Sequence, residues 1–285
     1  MAAALEFIET HLEDDLNAET IAARANCSAF HFMRMFEVVT GIGPAEYIRR
    51  RRLSCAAIDI ASGDERVIDI AVKYRYDSPD SFTRAFKREF GMVPTEARQP
   101  GTRLHSYPPL SFSIALIGDK AMEYRIEKGP AYRMTGISIA VNNADGKNFQ
   151  IVPKFWDDAM ADGRCDALFK KAMESGSRLG VAGICRDFNM ETGDFIYSIA
   201  METPADRSGL PEGCGDFEVP ASTWAKFTSR GPLRPNFQTT IKRIFAEWFP
   251  ASGKEHAGTA EIEYYPPLLN ADAPDYWCEY WVPIK

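Results

Sequence analysis

Apolar residues recur at helical spacing over the first hundred positions and then change to strand alternation. Ile21, Ala22 and Ala25 give residues 19–25 a short helix with a small-residue face. Phe32, Met35, Phe36 and Val39 follow at a 3.6-residue period. Gly41 suits a left-handed helix stop, with Pro44 just beyond. Residues 45–61 read as one continuous helix through Tyr47, Ile48, Leu53, Ala56, Ala57 and Ile60, about 25 Å long at 1.5 Å per residue. Ile70-Ala71 then opens another short helix, Tyr76-Asp77 makes a turn, and Phe82, Ala85, Phe86 and Phe90 form a second stripe ended by Gly91 and Pro94. Ser28 and Ser78 stand where a hydroxyl can accept from the free N–H groups of the stripe-bearing helices.

These two passages are copies. Ser28, Phe32, Arg34, Phe36, Gly41 and Pro44 return as Ser78, Phe82, Arg84, Phe86, Gly91 and Pro94, each fifty residues on, which marks an internal duplication. Each copy reads as helix, tight turn, helix. A small Ala in the first helix lets the second cross it closely, as in a helix-turn-helix, and the second helix is then free to enter a major groove. With the apolar stripe inward, Ala29, Phe30, Met33 and Arg34 face out in the first copy, and Pro79, Asp80, Thr83 and Arg84 in the second. The 45–61 rod between them can hold two recognition helices near the ~34 Å separation of successive major grooves. Arg49-Arg50-Arg51-Arg52 lies on this rod. Arg49 and Arg51, with Ser28, Ser78 and Lys87, are the expected phosphate contacts.

Pro100-Gly101 and Pro108-Pro109 mark residues 98–109 as a linker. Beyond it, alternation predicts strands over 111–117, 123–128 and 133–141, helices over 151–160 and 165–173, and strands over 180–186 and 194–202. The order recurs as strand 222–229, helix 237–249, strand 260–265 and strand 276–283. Strand–helix–strand–strand twice over predicts an α+β domain with two pseudo-symmetric βαββ halves and a groove between them for a ligand.

Composition sharpens the picture only in places. A chain of 285 residues allows two domains. The net charge of −7 argues against nucleic acid at first, but its distribution argues for it. Residues 24–52 carry six Arg against Glu37 and Glu46, and residues 66–103 eight Lys or Arg against five acids. A locally basic face can neutralise phosphates. No run of about 18 apolar residues suggests a membrane span, and the N-terminal stretch lacks the pattern of a secretory signal, so a cytoplasmic location is expected. Six scattered cysteines with no CxxC pair, and four dispersed histidines, predict reduced thiols and neither metal nor cofactor.

The pattern Ile21-Ala22, Ser28, Arg34-Met35-Phe36, Gly41, Pro44, Tyr47-Ile48, Arg52-Leu53, Ile70-Ala71, Tyr76, Ser78, Phe82, Arg84, Phe86-Lys87, Phe90-Gly91 and Pro94 resembles the AraC/XylS family of bacterial regulators. The resemblance implies an all-α DNA-binding domain over 1–105, with helix-turn-helix units at 17–42 and 66–92. It also implies base contacts from Phe30, Met33 and Arg34 in the first unit and Asp80, Thr83 and Arg84 in the second. Arg suits guanine N7 and O6, while Asp80, acidic where many relatives are not, can accept from cytosine N4. Thr95-Glu96-Ala97-Arg98 lacks the tyrosine usual after Pro94.

Residues 106–121 are expected to form a linker and edge strand, and 122–285 resemble the GyrI-like effector-binding domain, in the order of Rob-type regulators. Met122-Glu123-Tyr124-Arg125-Ile126, Phe155-Trp156, residues 195–199, Trp224-Ala225-Lys226-Phe227 with Gly231-Pro232, and above all Tyr276 to Ile284 carry that likeness. It implies a cavity glutamate in the last strand, Glu279. Trp277 and Trp281 share its strand face at i±2, and aromatic faces around an anion favour an organic cation. Trp156, Tyr197, Trp224 and Trp281 are the candidate walls, although each taken alone reads first as core. The expected partners are promoter DNA, a small organic effector that is amphipathic or cationic, and RNA polymerase. The function expected is effector-modulated transcription control, without enzymatic activity. The alternatives are hydrolysis of a reactive small molecule with Glu279 as acid or base, and a gyrase-inhibitor-like interaction protein.

Overall fold

The computed structural model describes residues 1–111, 121–142, 147–189, 192–267 and 269–285. All but the first residue of the strand expected over 111–117, and most of the expected edge-strand segment, lie outside the described residues. The chain forms two compact units, Met1–Met33 with Pro44–Leu116, and Arg34–Gly43 with Ile117–Lys285.

The helices of the first unit are α1 (Ala2–Thr10), α2 (Ala18–Arg24), the start of α3 (Ala29–Thr40), α4 (Pro44–Ser62), α5 (Val67–Lys73), α6 (Pro79–Phe90) and α7 (Pro94–Ala97). Local chemistry sets their ends. Asn17 caps α2 by accepting from the Thr20 N–H at 2.8 Å. Ser78 caps α6 in a reciprocal box with Ser81, Pro79 occupies the first turn, and Gly91 closes the helix at φ 76°. The stripe then does what its spacing predicts: Phe82, Phe86 and Phe90 pack with Leu53, Ala56, Ala57 and Ile60 of α4 and with Ile70 and Ala71 of α5. Ala71, 1% exposed, leaves room for the close crossing expected of a helix-turn-helix.

The second unit holds β1 (Tyr124–Gly129), β2 (Tyr132–Asn142), α8 (Asn148–Ala161), α9 (Arg164–Ser175), β3 (Ala182–Asn189), β4 (Asp194–Glu202), β5 (Gly215–Val219), β6 (Ser222–Arg230), α10 (Leu233–Arg243), a π-helical turn at Ile244–Trp248, α11 (Phe249–Ser252), β7 (Glu261–Tyr264) and β8 (Trp277–Ile284). The strands make one antiparallel sheet in the order β1-β6-β8-β7-β3-β4-β2-β5. Both βαββ halves are present, as β2-α8-α9-β3-β4 and β6-α10-α11-β7-β8. They meet centrally where β7 pairs with β3. The sequence reading missed β5, a five-residue strand, and read 237–249 as an uninterrupted helix where a π turn intervenes.

Connectivity fixes the sheet's curvature. Only Pro130 and Ala131 join β1 to β2, which stand six strand positions apart, and only Pro220 and Ala221 join β5 to β6, equally far apart. Six spacings on a flat sheet come to about 29 Å at ~4.8 Å each, whereas such a connection reaches roughly 10 Å. The sheet must therefore curl until its ends approach. Its inner face buries Tyr132, Met134, Ala182, Ile184, Ala200, Trp224, Ile262 and Trp281. Its outer face carries the helices, with Phe155, Ala159, Leu168 and Ala172 packed on Ile137, Val141, Tyr197 and Ile199.

Candidate DNA-reading helices and effector groove

The second recognition helix presents what a groove-reading helix needs. With its phenylalanines buried, α6 exposes Asp80, Arg84, Lys87 and Arg88. Thr83 is half-buried, and its hydroxyl donates to the Pro79 carbonyl at 2.7 Å. Among the described residues, neither Arg84 nor Lys87 is committed to an acid.

The first recognition helix differs. Phe30, Met33 and Ser28 are half-buried, and the Ser28 hydroxyl accepts from the His31 N–H at 3.4 Å. The expectation that Arg34 faces outward is overturned. Arg34 is 7% exposed and belongs to the second unit, where Nε donates to Glu261 Oε1 at 2.8 Å and Nη2 to Glu261 Oε2 at 2.6 Å. Nη2 also lies 3.2 Å from the Tyr280 hydroxyl, and Nη1 lies 3.3 Å from Glu37. The rings of Phe188 and Phe245 stand 5.4 and 5.5 Å from the guanidinium carbon. Burial by itself would push the Glu261 carboxyl up, but Arg34 and the neighbouring His256, with Nε2 at 3.1 Å, hold it well below the usual carboxylate range. Burial lowers His256, against the pull of Glu261.

The four arginines of α4, Arg49 and Arg51 of the expected phosphate contacts among them, are all engaged within the fold. Arg49 pairs with Glu46 at 2.6 Å and Glu89 at 2.9 Å, and Arg50 with Glu46 at 2.6 Å. Arg51 is buried against Glu9 at 2.9 Å. Arg52 donates to the Leu12 and Asp14 carbonyls at 2.8 and 2.7 Å. Four consecutive positions point around the whole helix, so this run fastens neighbouring segments in several directions instead of forming one basic face.

The predicted ligand walls do not share a pocket. Cross-strand register puts Glu279, Trp281 and Trp224 on the inner face of the sheet, while Tyr197 is on the outer face and Trp156 comes to it from α8. Glu279 is no free anion: Arg125 grips both its oxygens at 2.5 and 3.0 Å, and Trp281 Nε1 donates to it at 2.7 Å. Lys226, paired with Glu127 at 2.8 Å, stands 3.6 Å over the Trp281 ring. A carboxylate two residues from a tryptophan is a local pattern, whereas its counterion comes from β1, 154 residues earlier.

The outer-face carboxylate that does meet Tyr197, and through it Trp156, is Glu263 on the central strand β7. It is 8% exposed, and it accepts the Tyr197 hydroxyl and, at 2.8 Å, the Tyr265 hydroxyl. Trp156 Nε1 donates to the Tyr197 oxygen at 2.8 Å, and the Trp156 ring meets Tyr265 edge-on at 5.5 Å. Phe237 of α10 lies 5.9 Å from Tyr265 and 5.8 Å from Tyr280. Gly183 makes this approach possible, since a Cβ there would fall 2.3 Å from the Tyr197 hydroxyl and 2.4 Å from Glu263 Oε2. No cation pairs with Glu263 among the described residues. Burial raises its carboxyl above the ordinary range, and the two tyrosine hydroxyls only partly offset that. Both tyrosines, raised well above 10 by burial and by this carboxylate, stay protonated donors. The sequence did carry a signal: Glu261-Ile262-Glu263 puts two acids on one face of a short, otherwise apolar strand.

Among the described residues no cluster of His, Cys, Asp and Glu could hold a metal, and no helix is long and apolar enough to cross a membrane. Residues 125–284 match the family described as integron-associated effector binding protein, and residues 21–100 match a helix-turn-helix domain family. Over 95 residues the chain is 42% identical to the right origin-binding protein of Escherichia coli, covering 33% of each protein, so it spans a third of that relative's length. It is 36% identical over 94 residues to the regulatory protein SoxS of Salmonella typhimurium, covering 33% of this chain and 88% of SoxS. The integron cassette protein of Vibrio cholerae is 19% identical over 57% of this chain and 95% of its own, with a TM-score of 0.40. The chain therefore belongs to the integron-associated effector-binding protein family, and carries that domain behind an AraC-type helix-turn-helix region.

Proposed function

We propose that this chain controls transcription at a promoter it reads through α6 and α3, and that an organic cation bound beside Glu263 modulates it. One observation carries the effector assignment: a buried carboxylate on the central strand is held by two tyrosines, which Trp156 and Phe237 contact in turn, and no cation pairs with it among the described residues. Aromatic faces around an uncompensated anion favour a lipophilic cation, and burial excludes the water that would otherwise solvate the charge. Exposed Arg84, Lys87 and Arg88 support the DNA assignment, with Arg84 suited to guanine and Lys87 to phosphate. Such a regulator works in the cytoplasm, and RNA polymerase is the partner its DNA-bound form would act on.

The hydrolase alternative needed Glu279 as a free acid or base, and that residue's oxygens are taken by Arg125 and Trp281. The test has two arms. A duplex selected from a random library by the full chain should bind with a steep salt dependence; failure to select one, or salt-independent binding, refutes the DNA arm. Calorimetry with butylguanidinium should show binding that Glu263→Gln weakens at least tenfold; equal affinity of the two proteins refutes the effector arm.

A further inference from the structure

The outer face of β7 carries two carboxylates in unequal states. Glu263 has tyrosine donors and, among the described residues, no cation. Glu261, two residues earlier and about 7 Å away along the strand, holds the Arg34 guanidinium in a two-pronged grip. The Arg34 site is built as a site for an organic cation would be. A carboxylate takes the planar fork, the Tyr280 hydroxyl lies beside Nη2, and Phe188 and Phe245 flank the charge. Stability alone explains it poorly, because a buried ion pair generally contributes little beyond what packed apolar groups would give. Arg34 is also the counterpart of Arg84 in the duplicated motif, so one of two equivalent arginines is exposed while the other is sequestered.

We propose that Glu261 is the second cation subsite of the effector groove and that Arg34 is its resident occupant, which a dicationic effector displaces and so frees for DNA. This rests on the reading of Glu263 given above. A monocation finds Glu263 unfilled and has no reason to disturb Arg34. A ligand with a guanidinium or amidinium at one end and a second cation about 7 Å away satisfies both carboxylates. Its planar fork replaces the bonds of Arg34 to Glu261 nearly one for one, so its charge at Glu263 supplies the net gain that drives exchange. The chemical class is therefore a compact dication bearing at least one planar fork.

Agmatine and butylguanidinium are matched probes, alike in chain and fork and differing in the second charge. Calorimetry on the full chain should show that Arg34→Ala tightens agmatine roughly tenfold or more, because the internal competitor is gone, while butylguanidinium changes less than threefold. In the intact chain, saturating agmatine should raise affinity for the selected duplex at least fivefold. That rise should vanish in Arg34→Ala, and butylguanidinium should not produce it. A Glu261→Gln chain, checked for a native melting transition, should show the higher DNA affinity without any ligand. Arg34→Lys is the second variant if that chain does not fold, and should also bind agmatine more tightly because ammonium lacks the fork. Unchanged agmatine affinity in Arg34→Ala, with Glu263→Gln still weakening both probes, overturns the displacement of Arg34 and leaves the Glu263 site standing. Unchanged binding of both probes in Glu263→Gln overturns the site itself.

Discussion

Removing the Tyr197 hydroxyl isolates the polar chemistry of the groove from its packing. Tyr197→Phe keeps the ring, which sits edge-on to Phe155 at 6.5 Å, and deletes an oxygen that donates to Glu263 and accepts from Trp156 Nε1. The carboxylate is left with Tyr265 alone, and the indole N–H loses its acceptor. A hydrogen bond to a charged group contributes about 1.5–3 kcal/mol, and a stranded donor costs about 1–3 kcal/mol. Trp156 is only half-buried, so water recovers part of the second cost. The loss at pH 7 should be about 2–4 kcal/mol, or roughly 4–15 °C in the transition of a unit of this size. The pH dependence gives the sharper check. Burial raises Glu263 above 4.5, so its protonated form favours the folded state. That contribution is fully present below about pH 4.5 and is lost as pH rises through the raised value. Tyr197 favours the charged form, so the phenylalanine variant raises Glu263 further, and the gap between variant and parent should widen with pH. Below about pH 4.5 only the water-reduced indole cost of about 0.5–1 kcal/mol should remain. Calorimetric melting from pH 4 to 8 measures both. A gap that is constant with pH, or a transition unmoved at pH 7, would refute a carboxylate held by this hydroxyl.

Further substitutions separate reading, anchoring and packing. Arg84→Ala should cost about 1–3 kcal/mol on the selected duplex and relax preference at one base pair, whereas Lys87→Ala should weaken all duplexes alike and lower the log–log salt slope by about 0.9; anisotropy titrations distinguish them. Arg51→Ala strands the carboxylate of Glu9 and should destabilise the first unit by about 2–4 kcal/mol with no change in salt slope; a lowered slope would return Arg51 to the phosphate contacts. Gly183→Ala would drive a methyl to 2.3 Å from the Tyr197 hydroxyl; butylguanidinium binding should fall at least tenfold, and a calorimetric titration matching the parent would show that the groove does not need this glycine.

Patterns local to the chain settle the elements and the plan. The fifty-residue repeat, the serine caps and the phenylalanine stripe placed α6 and its exposed face, because capping and helical period are settled within a few residues. Alternation likewise marked both βαββ halves. What it could not settle was which side chains meet across the fold. Glu279 and Glu263 both lie among apolar and aromatic strand residues, and only the register of β6, β7 and β8 separates an inner-face acid neutralised by Arg125 from an outer-face acid with no cation among the described residues. Arg34 and Arg84 occupy matching positions in the repeat, and the local pattern treats them alike; Glu261, 227 residues away, makes them different. Periodicity reports the surroundings of a residue averaged over its neighbours in the chain, whereas the state of a charge depends on the one counterion that reaches it, and that counterion arrives through packing between segments far apart in the chain.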